Sequence, residues 1–309
     1  MPAGTVLVAV GGVYQVELAG GEVIEAVLRG RLKRDAKADD RVVAGDDVRL
    51  SRQDDSWTIE GVEPRRSQLA RRAPGTGRRR PKVIAANIDR IIIVFAAAHP
   101  EPNARMLDRL LVLAEANSLP ALILLNKIEL VGAAHADAFL APYRAAGYGT
   151  LTASAATGSG VAELRALLCA ARAGGGHVRS ALTGPSGVGK SSLLNVVQPG
   201  LGLRIGAVSE AVHKGRHTTV AAQLIRLDCG GYVADTPGLR EVGMWGIDNE
   251  TLDHCFPEFR DYIGTCRYTR SCSHTHEPGC AVRAAVAAGI VSGPRYESYA
   301  ALYGAPEEA

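Results

Sequence analysis

Lys190 and Ser191 stand at the end of a glycine-rich run, Gly184-Pro185-Ser186-Gly187-Val188-Gly189, and Ser192 follows them. This spacing fits the phosphate-loop pattern G-x-x-x-x-G-K-[ST]. Its glycines let the backbone curl until successive N–H groups face phosphate oxygens. Lys190 would bridge β- and γ-phosphates, and the Ser191 hydroxyl would hold Mg²⁺. Two elements must position the loop. Val178–Thr183 reads as a buried strand and Ser191–Val197 as a helix, whose N-terminus adds partial positive charge.

Other residues suited to nucleotide chemistry lie on both sides of this loop. Arg90–Ala98 is an apolar strand, and the stripe Met106, Leu107, Leu110, Leu111 and Ala114 predicts a helix over Arg105–Asn117 packed on a sheet. The next strand, Ala121–Leu125, runs into Asn126-Lys127-Ile128-Glu129. That segment resembles the N-K-x-D guanine motif of GTPases, with Glu129 in place of aspartate. A carboxylate there can accept from guanine N1–H and N2–H₂, and adenine would leave it unpaired. Asn126 would hold the base edge, and the stem of Lys127 would cover the ring. Ser154-Ala155 resembles the last guanine contact.

Beyond the phosphate loop, His213–Thr219 has the polar, glycine-containing character of a switch loop. Thr219, or failing it Thr218, could complete the Mg²⁺ shell, and His217 could orient the attacking water. The strand Gly231–Ala234 ends in Asp235-Thr236-Pro237-Gly238, a D-x-x-G switch in which Asp235 holds the metal through water and the Gly238 N–H senses the γ-phosphate. Leu239 follows, where many GTPases place a water-positioning glutamine, so slow intrinsic hydrolysis is expected. Base motifs here precede phosphate motifs. That order predicts a circularly permuted P-loop GTPase, an α/β domain with a mostly parallel sheet.

Four of six cysteines lie between Cys255 and Cys280. Cys266, Cys272, His274 and Cys280 form a Cys₃His set suited to one structural Zn²⁺, with His276 and Cys255 as alternatives. Cys169 and Cys229 read as ordinary small apolar residues. The clustering favours metal binding in a reducing cytoplasm. Helical stretches at Ala281–Ala288 and Tyr296–Tyr303 complete a C-terminal zinc-binding helical domain.

The N-terminal sixty residues alternate short strands (Val6–Val10, Val13–Leu18, Val23–Arg29, Asp47–Leu50, Trp57–Glu60) with glycine turns, which predicts an OB-fold β-barrel. Pro64–Lys82 carries eight basic residues and no acidic one, and reads as an extended linker contacting a phosphate backbone. The expected domains are 1–64, 65–86, 87–245 and 246–309. A chain of 309 residues with net charge +3 supports a multidomain α/β protein, and no apolar run is long enough to span a bilayer. Neither a signal peptide nor a membrane association is expected.

In combination these motifs resemble the ribosome small-subunit-dependent GTPase A family (RsgA/YjeQ). The residues that carry the resemblance are NKIE at 126, GPSGVGKSS at 184, GRHTT at 215, DTPG at 235 and the block from Cys266 to HEPGCAV. Departures are Glu129 and one extra residue between Cys266 and Cys272. The resemblance implies a cytoplasmic, monomeric GTPase acting late in small-subunit (30S) maturation. It would bind GTP or GDP and the subunit's rRNA, use His217 as the catalytic histidine, and hydrolyse GTP slowly alone and faster on the subunit. Two rivals from other classes are a nucleotide-stabilised rRNA-binding scaffold with little turnover and an ATP-dependent enzyme.

Overall fold

The computed structural model describes residues 1–30, 41–71, 82–203, 222–236 and 249–304. Five strands open the chain: β1 (Ala3–Val10), β2 (Val13–Leu18), β3 (Val23–Leu28), β4 (Asp47–Gln53) and β5 (Ser56–Val62). Alternation decides their faces. Tyr14, Val16, Ile24, Ala26, Val48, Leu50 and Ile59 point inward and form the barrel core with Val6. The ladder runs β1-β2-β3-β5-β4, and β4 pairs back to β1, so the sheet closes as the OB-like barrel expected.

The segment read as an extended linker is folded at both of its described ends. β6 (Gln68–Arg71) pairs antiparallel with β7 (Lys82–Ala86). Arg65 and Arg66 are held by Asp46 at 2.7 Å and Asp89 at 2.9 Å. Their charges therefore have local carboxylate partners that the one-sided composition of the stretch does not reveal.

The central sheet is β10 (Gly149–Thr152), β9 (Ala121–Asn126), β8 (Arg90–Ala96), β11 (Arg179–Thr183), β13 (Tyr232–Asp235) and β12 (Gln223–Arg226), in that spatial order. All neighbours are parallel except β12 against β13. β8 is almost wholly buried, which is why it reads as a continuous apolar run rather than an alternating one; β11 is equally buried but carries Arg179, Ser180 and Thr183. α1 (Ala104–Ala116), α2 (Ala133–Ala145), α3 (Val161–Leu168) and α4 (Lys190–Val197) cover the two faces.

Barrel and central domain share one sheet, because β12 pairs with β1 at Val8 and Gln223. Polar contacts fix the junction. Arg179 donates to Asp47 Oδ1 at 2.7 Å and to the Gly45 carbonyl at 2.7 Å. Buried Glu17 pairs with Arg226 and accepts from the Tyr232 hydroxyl at 2.6 Å.

Cys169 and Cys229, expected to be ordinary small apolar residues, are instead joined in a disulfide, with Cα atoms 5.6 Å apart. Cys169 caps α3, and Cys229 lies in the turn between β12 and β13. The sheet brings together residues 60 apart in sequence, a proximity that cysteine spacing does not show. The reducing-compartment reasoning does not extend to this pair.

The C-terminal segment carries α5 (Asn249–Leu252), α6 (Ala281–Ala287) and α7 (Gly293–Tyr303) around Phe256, Phe259 and Tyr299. It docks on α1 through a buried charge cluster. Arg295 donates to Asp108 Oδ1 at 2.6 Å and to Glu258 at 2.7 and 3.1 Å, and its guanidinium lies 4.7 Å from the Phe256 ring centre. α1 is thus buried on two sides. Leu107, Leu110, Leu111 and Ala114 face the sheet, whereas Asp108 and Val112 face the C-terminal segment. Among the described residues no helix is long and apolar enough to cross a membrane.

Arg295→Ala leaves two carboxylates without their cation in a dry joint, so urea denaturation should show a loss of about 3–5 kcal/mol. Burial raises the Asp108 pKa even beside Arg295. A carboxyl whose pKa is higher folded than unfolded takes up protons on folding, so its unfavourable effect grows as pH rises through that range. The variant's loss should therefore be smaller in mildly acid than in neutral solution.

Candidate nucleotide site and metal centre

The strands deliver the sequence-predicted residues to one edge of the sheet. The phosphate loop follows β11, Asn126 ends β9, Ser154 and Ala155 follow β10, and Asp235 ends β13. This carboxyl edge is where open parallel sheets bind ligands.

Gly184 and Gly189 are required by both conformation and space. Their φ values are 139° and 91°. A Cβ on Gly184 would lie 2.0 Å from the Val94 carbonyl oxygen, and one on Gly189 would lie 2.4 Å from Asn126 Nδ2. Ser186 and Gly187 form the exposed tip, Pro185 is half-buried, and Val188 is buried. Lys190 and Ser191 open α4 with Ser192, and the Lys190 ammonium is held over the loop by the carbonyls of Gly184, at 2.7 Å, and Pro185. Lys190, Ser191 and Asp235 line one cleft above Leu182, Leu194 and Val233. A cation, a hydroxyl and a carboxylate thus face a common space beside a helix N-terminus, an arrangement suited to a phosphate chain and its metal.

Asn126 is 1 % exposed, and its amide joins three loops. Nδ2 donates to the Val188 carbonyl in the phosphate loop at 2.8 Å. Oδ1 accepts from the Ala155 N–H at 3.2 Å. Beyond the base contact that the sequence suggests for Asn126, its side chain ties the base loops to the phosphate loop. Lys127 turns left-handed at φ 62°, and its ammonium is bonded to the His99 carbonyl. This swings the chain into a single turn, Ile128–Leu130, that leaves Glu129 exposed at the rim and Ile128 half-buried. Ser154 is buried and its hydroxyl accepts from the Thr157 N–H at 3.0 Å. His217, Thr218, Thr219 and Gly238 lie outside the described residues.

The four expected metal ligands converge. The donor atoms of Cys266, Cys272, His274 and Cys280 all lie within 4.8 Å of one another, and all four residues are buried. His274 Nδ1 is 3.5 Å from Cys266 Sγ and 3.4 Å from Cys280 Sγ. His276 is exposed and turns to Thr275 and Glu277, and Cys255 is not in the group, so His274 is the imidazole of this set. Burial opposes the Cys266 thiolate, yet the N–H groups of Ala281 and Val282 and the neighbouring thiols outweigh it and lower its pKa. Burial pushes the Cys272 thiol up to about 12. Three thiols packed this closely repel one another once ionised, and a thiophilic tetrahedral cation, with the neutral imidazole as fourth ligand, relieves that repulsion. Asp253 Oδ2, 3.4 Å from His274 Nε2, orients the ring so that Nδ1 faces the sulfurs. Tyr299 and Tyr296 brace the ligand loop by donating to the carbonyls of Ser273 at 2.8 Å and His274 at 2.9 Å. Spacing points to neither Asp253 nor these tyrosines, because they lie on separate segments.

Comparison with known proteins gives consistent results. The RsgA GTPase family model matches residues 62–245. The chain is 50 % identical over 302 residues to a protein of Gemmatimonas aurantiaca named small ribosomal subunit biogenesis GTPase RsgA, covering 97 % of this chain and 95 % of that one. It is 44 % identical to the protein of that name from Moorella thermoacetica, covering 96 % and 94 %. The crystal structure of YjeQ from Thermotoga maritima superposes with a TM-score of 0.76 at 32 % identity, over 98 % of this chain and 97 % of that one. YloQ, described as a circularly permuted GTPase, gives 0.73 at 29 % identity, over 98 % and 94 %.

His274→Ala should abolish stoichiometric metal in elemental analysis of the purified protein and lower its melting temperature. His276→Ala should retain both, and metal loss in that variant would contradict the ligand assignment.

Proposed function

Because the chain belongs to the RsgA GTPase family, we propose that it is a GTP phosphohydrolase that binds the small ribosomal subunit and assists its late maturation, turning over slowly alone and faster on the subunit. The observation that carries this reading is the join at Asn126, which unites base and phosphate loops into one site despite their inverted order in the chain. Gly184 to Ser192 hold the phosphates through backbone N–H groups and Lys190. Glu129 reads the guanine edge from the rim, beside Lys127, Ile128, Ser154 and Ala155.

Ser191 and Asp235 are the described residues that would hold Mg²⁺, and Thr218 or Thr219 would complete its shell. The bound ion supplies charge neutralisation on the β- and γ-phosphates. Gly238 senses the γ-phosphate, and His217 holds the attacking water. Leu239 follows Gly238 and has no hydrogen-bonding group to do so. A residue without that group fits slow turnover until the subunit orders the water.

The barrel and the basic stretch 64–82 are the rRNA-binding surfaces, and the Cys₃His centre holds one structural Zn²⁺ that pins the ligand loop onto the C-terminal core. The protein acts in the cytoplasm as a monomer.

GTP hydrolysis measured with and without purified small subunits tests this reading. Stimulation of at least about tenfold is expected, with ATP a poor substrate and the stimulated rate about 10²-fold lower in His217→Ala. Tight GTP binding without stimulated turnover would favour the nucleotide-stabilised scaffold instead, and equal use of ATP would refute the role given to Glu129.

A further inference from the structure

A second polar cleft, of about 250 Å³, opens at the opposite end of the sheet from the phosphate loop. Arg179 and Tyr232 start β11 and β13 there, whereas Thr183 and Asp235 end those strands at the nucleotide edge. Arg66, Arg172, His177, Arg179, Arg226 and Tyr232 line it, together with two glycines, and no acidic residue does.

The carboxylates that pair with three of these arginines, Asp89, Asp47 and Glu17, are not part of the lining. They fix the guanidiniums without filling the space in front of them. Each guanidinium has five N–H donors, and only the Nη1 group of Arg226 is bonded to Glu17, so donors remain for a ligand. Among the described residues Arg172 and His177 make no ion pair, and Arg172 Nη2 donates only to the Gly175 carbonyl at 2.7 Å.

The walls are preset. Ala171 and His177 bridge antiparallel, closing the loop that carries Arg172. The Cys169–Cys229 disulfide ties the base of that loop to the turn carrying Gly230 on the facing wall. A concave, acid-free surface whose cations are already oriented binds anions with little ordering cost.

We propose that this cleft takes a backbone phosphate of an RNA strand. The size suits about one nucleotide, and Arg66 belongs to the stretch 64–82, which has eight basic residues and no acidic one. The Tyr232 ring, beneath the Arg179 guanidinium at 5.8 Å, offers an aromatic edge next to the cations. The assignment rests on the rRNA-binding part of the proposed function. It is therefore tested without ribosomes or GTP, so that it can fail while the GTPase reading stands.

The probe is a labelled, uridine-rich RNA oligonucleotide, followed by fluorescence anisotropy as salt is raised. The test variant is Arg172→Ala with His177→Ala, and the control is Arg109→Ala with His135→Ala, which removes the same side-chain types from exposed helix positions. Equal melting temperatures establish that both variants fold; if the double variant does not, Arg172→Gln alone replaces it. Affinity about tenfold weaker is expected in the test variant alone, with the slope of log K against log salt shallower by about 0.7 for each phosphate that is no longer neutralised. An unchanged affinity and slope, or an equal loss in the control, overturns the proposal. So does loss of inorganic phosphate binding with RNA binding intact, which would make the cleft a small-anion site.

Discussion

The amide of Asn126 is the contact on which the nucleotide site depends. It is buried between a carbonyl of the phosphate loop and an N–H of the Ser154-Ala155 loop, and it is bonded to both. The bond to the Val188 carbonyl is buried, so leaving that group unpaired is costly, and the amide holds the two loops at a defined distance. Gly189 completes the constraint, because only a residue without Cβ lets the loop approach Nδ2 so closely. The base loops precede the phosphate loop in this permuted chain, and this one side chain is bonded to both.

Permutation also determines what lies beyond the switch. In this order the chain leaves β13 and leads, through residues outside those described, into the metal-bearing segment. That segment returns to α1 through Arg295 and Asp108, and α1 leads through β9 to Asn126. The C-terminal segment is therefore packed on the helix that precedes the base loop. On the other side, β12 carries the sheet into the barrel, and Arg179 and Glu17 clamp that joint. One continuous sheet places a nucleotide edge and a basic, barrel-facing edge at opposite ends of the same strands.

The local patterns are legible in the sequence. The phosphate loop, the barrel strands and the Cys₃His set each depend on residues close together in the chain, with side-chain types that few other roles require. The nonlocal features are not. Asp108 reads as an ordinary polar position on an amphipathic helix, because its partner Arg295 lies in the C-terminal segment. The disulfide joins residues whose neighbourhood is created only when α3 packs beside the β12–β13 turn. Spacing does not separate His274 from His276; burial and the carboxylate of Asp253 do. The basic stretch looks unopposed because Asp46 and Asp89, which hold Arg65 and Arg66, sit on other segments.

The most direct test of the central constraint is the affinity of Asn126 variants for GDP, measured by calorimetry with melting temperature as the fold control. Asn126→Ala leaves the Val188 carbonyl and the Ala155 N–H unpaired, at about 1–3 kcal/mol each. Asn126→Asp keeps an acceptor for Ala155 but sets a carboxylate against the Val188 carbonyl. Affinity should fall by about 30-fold or more in both variants while the fold is retained. Wild-type affinity in a folded Asn126→Ala protein would mean that the two halves of the site are positioned by something other than this amide.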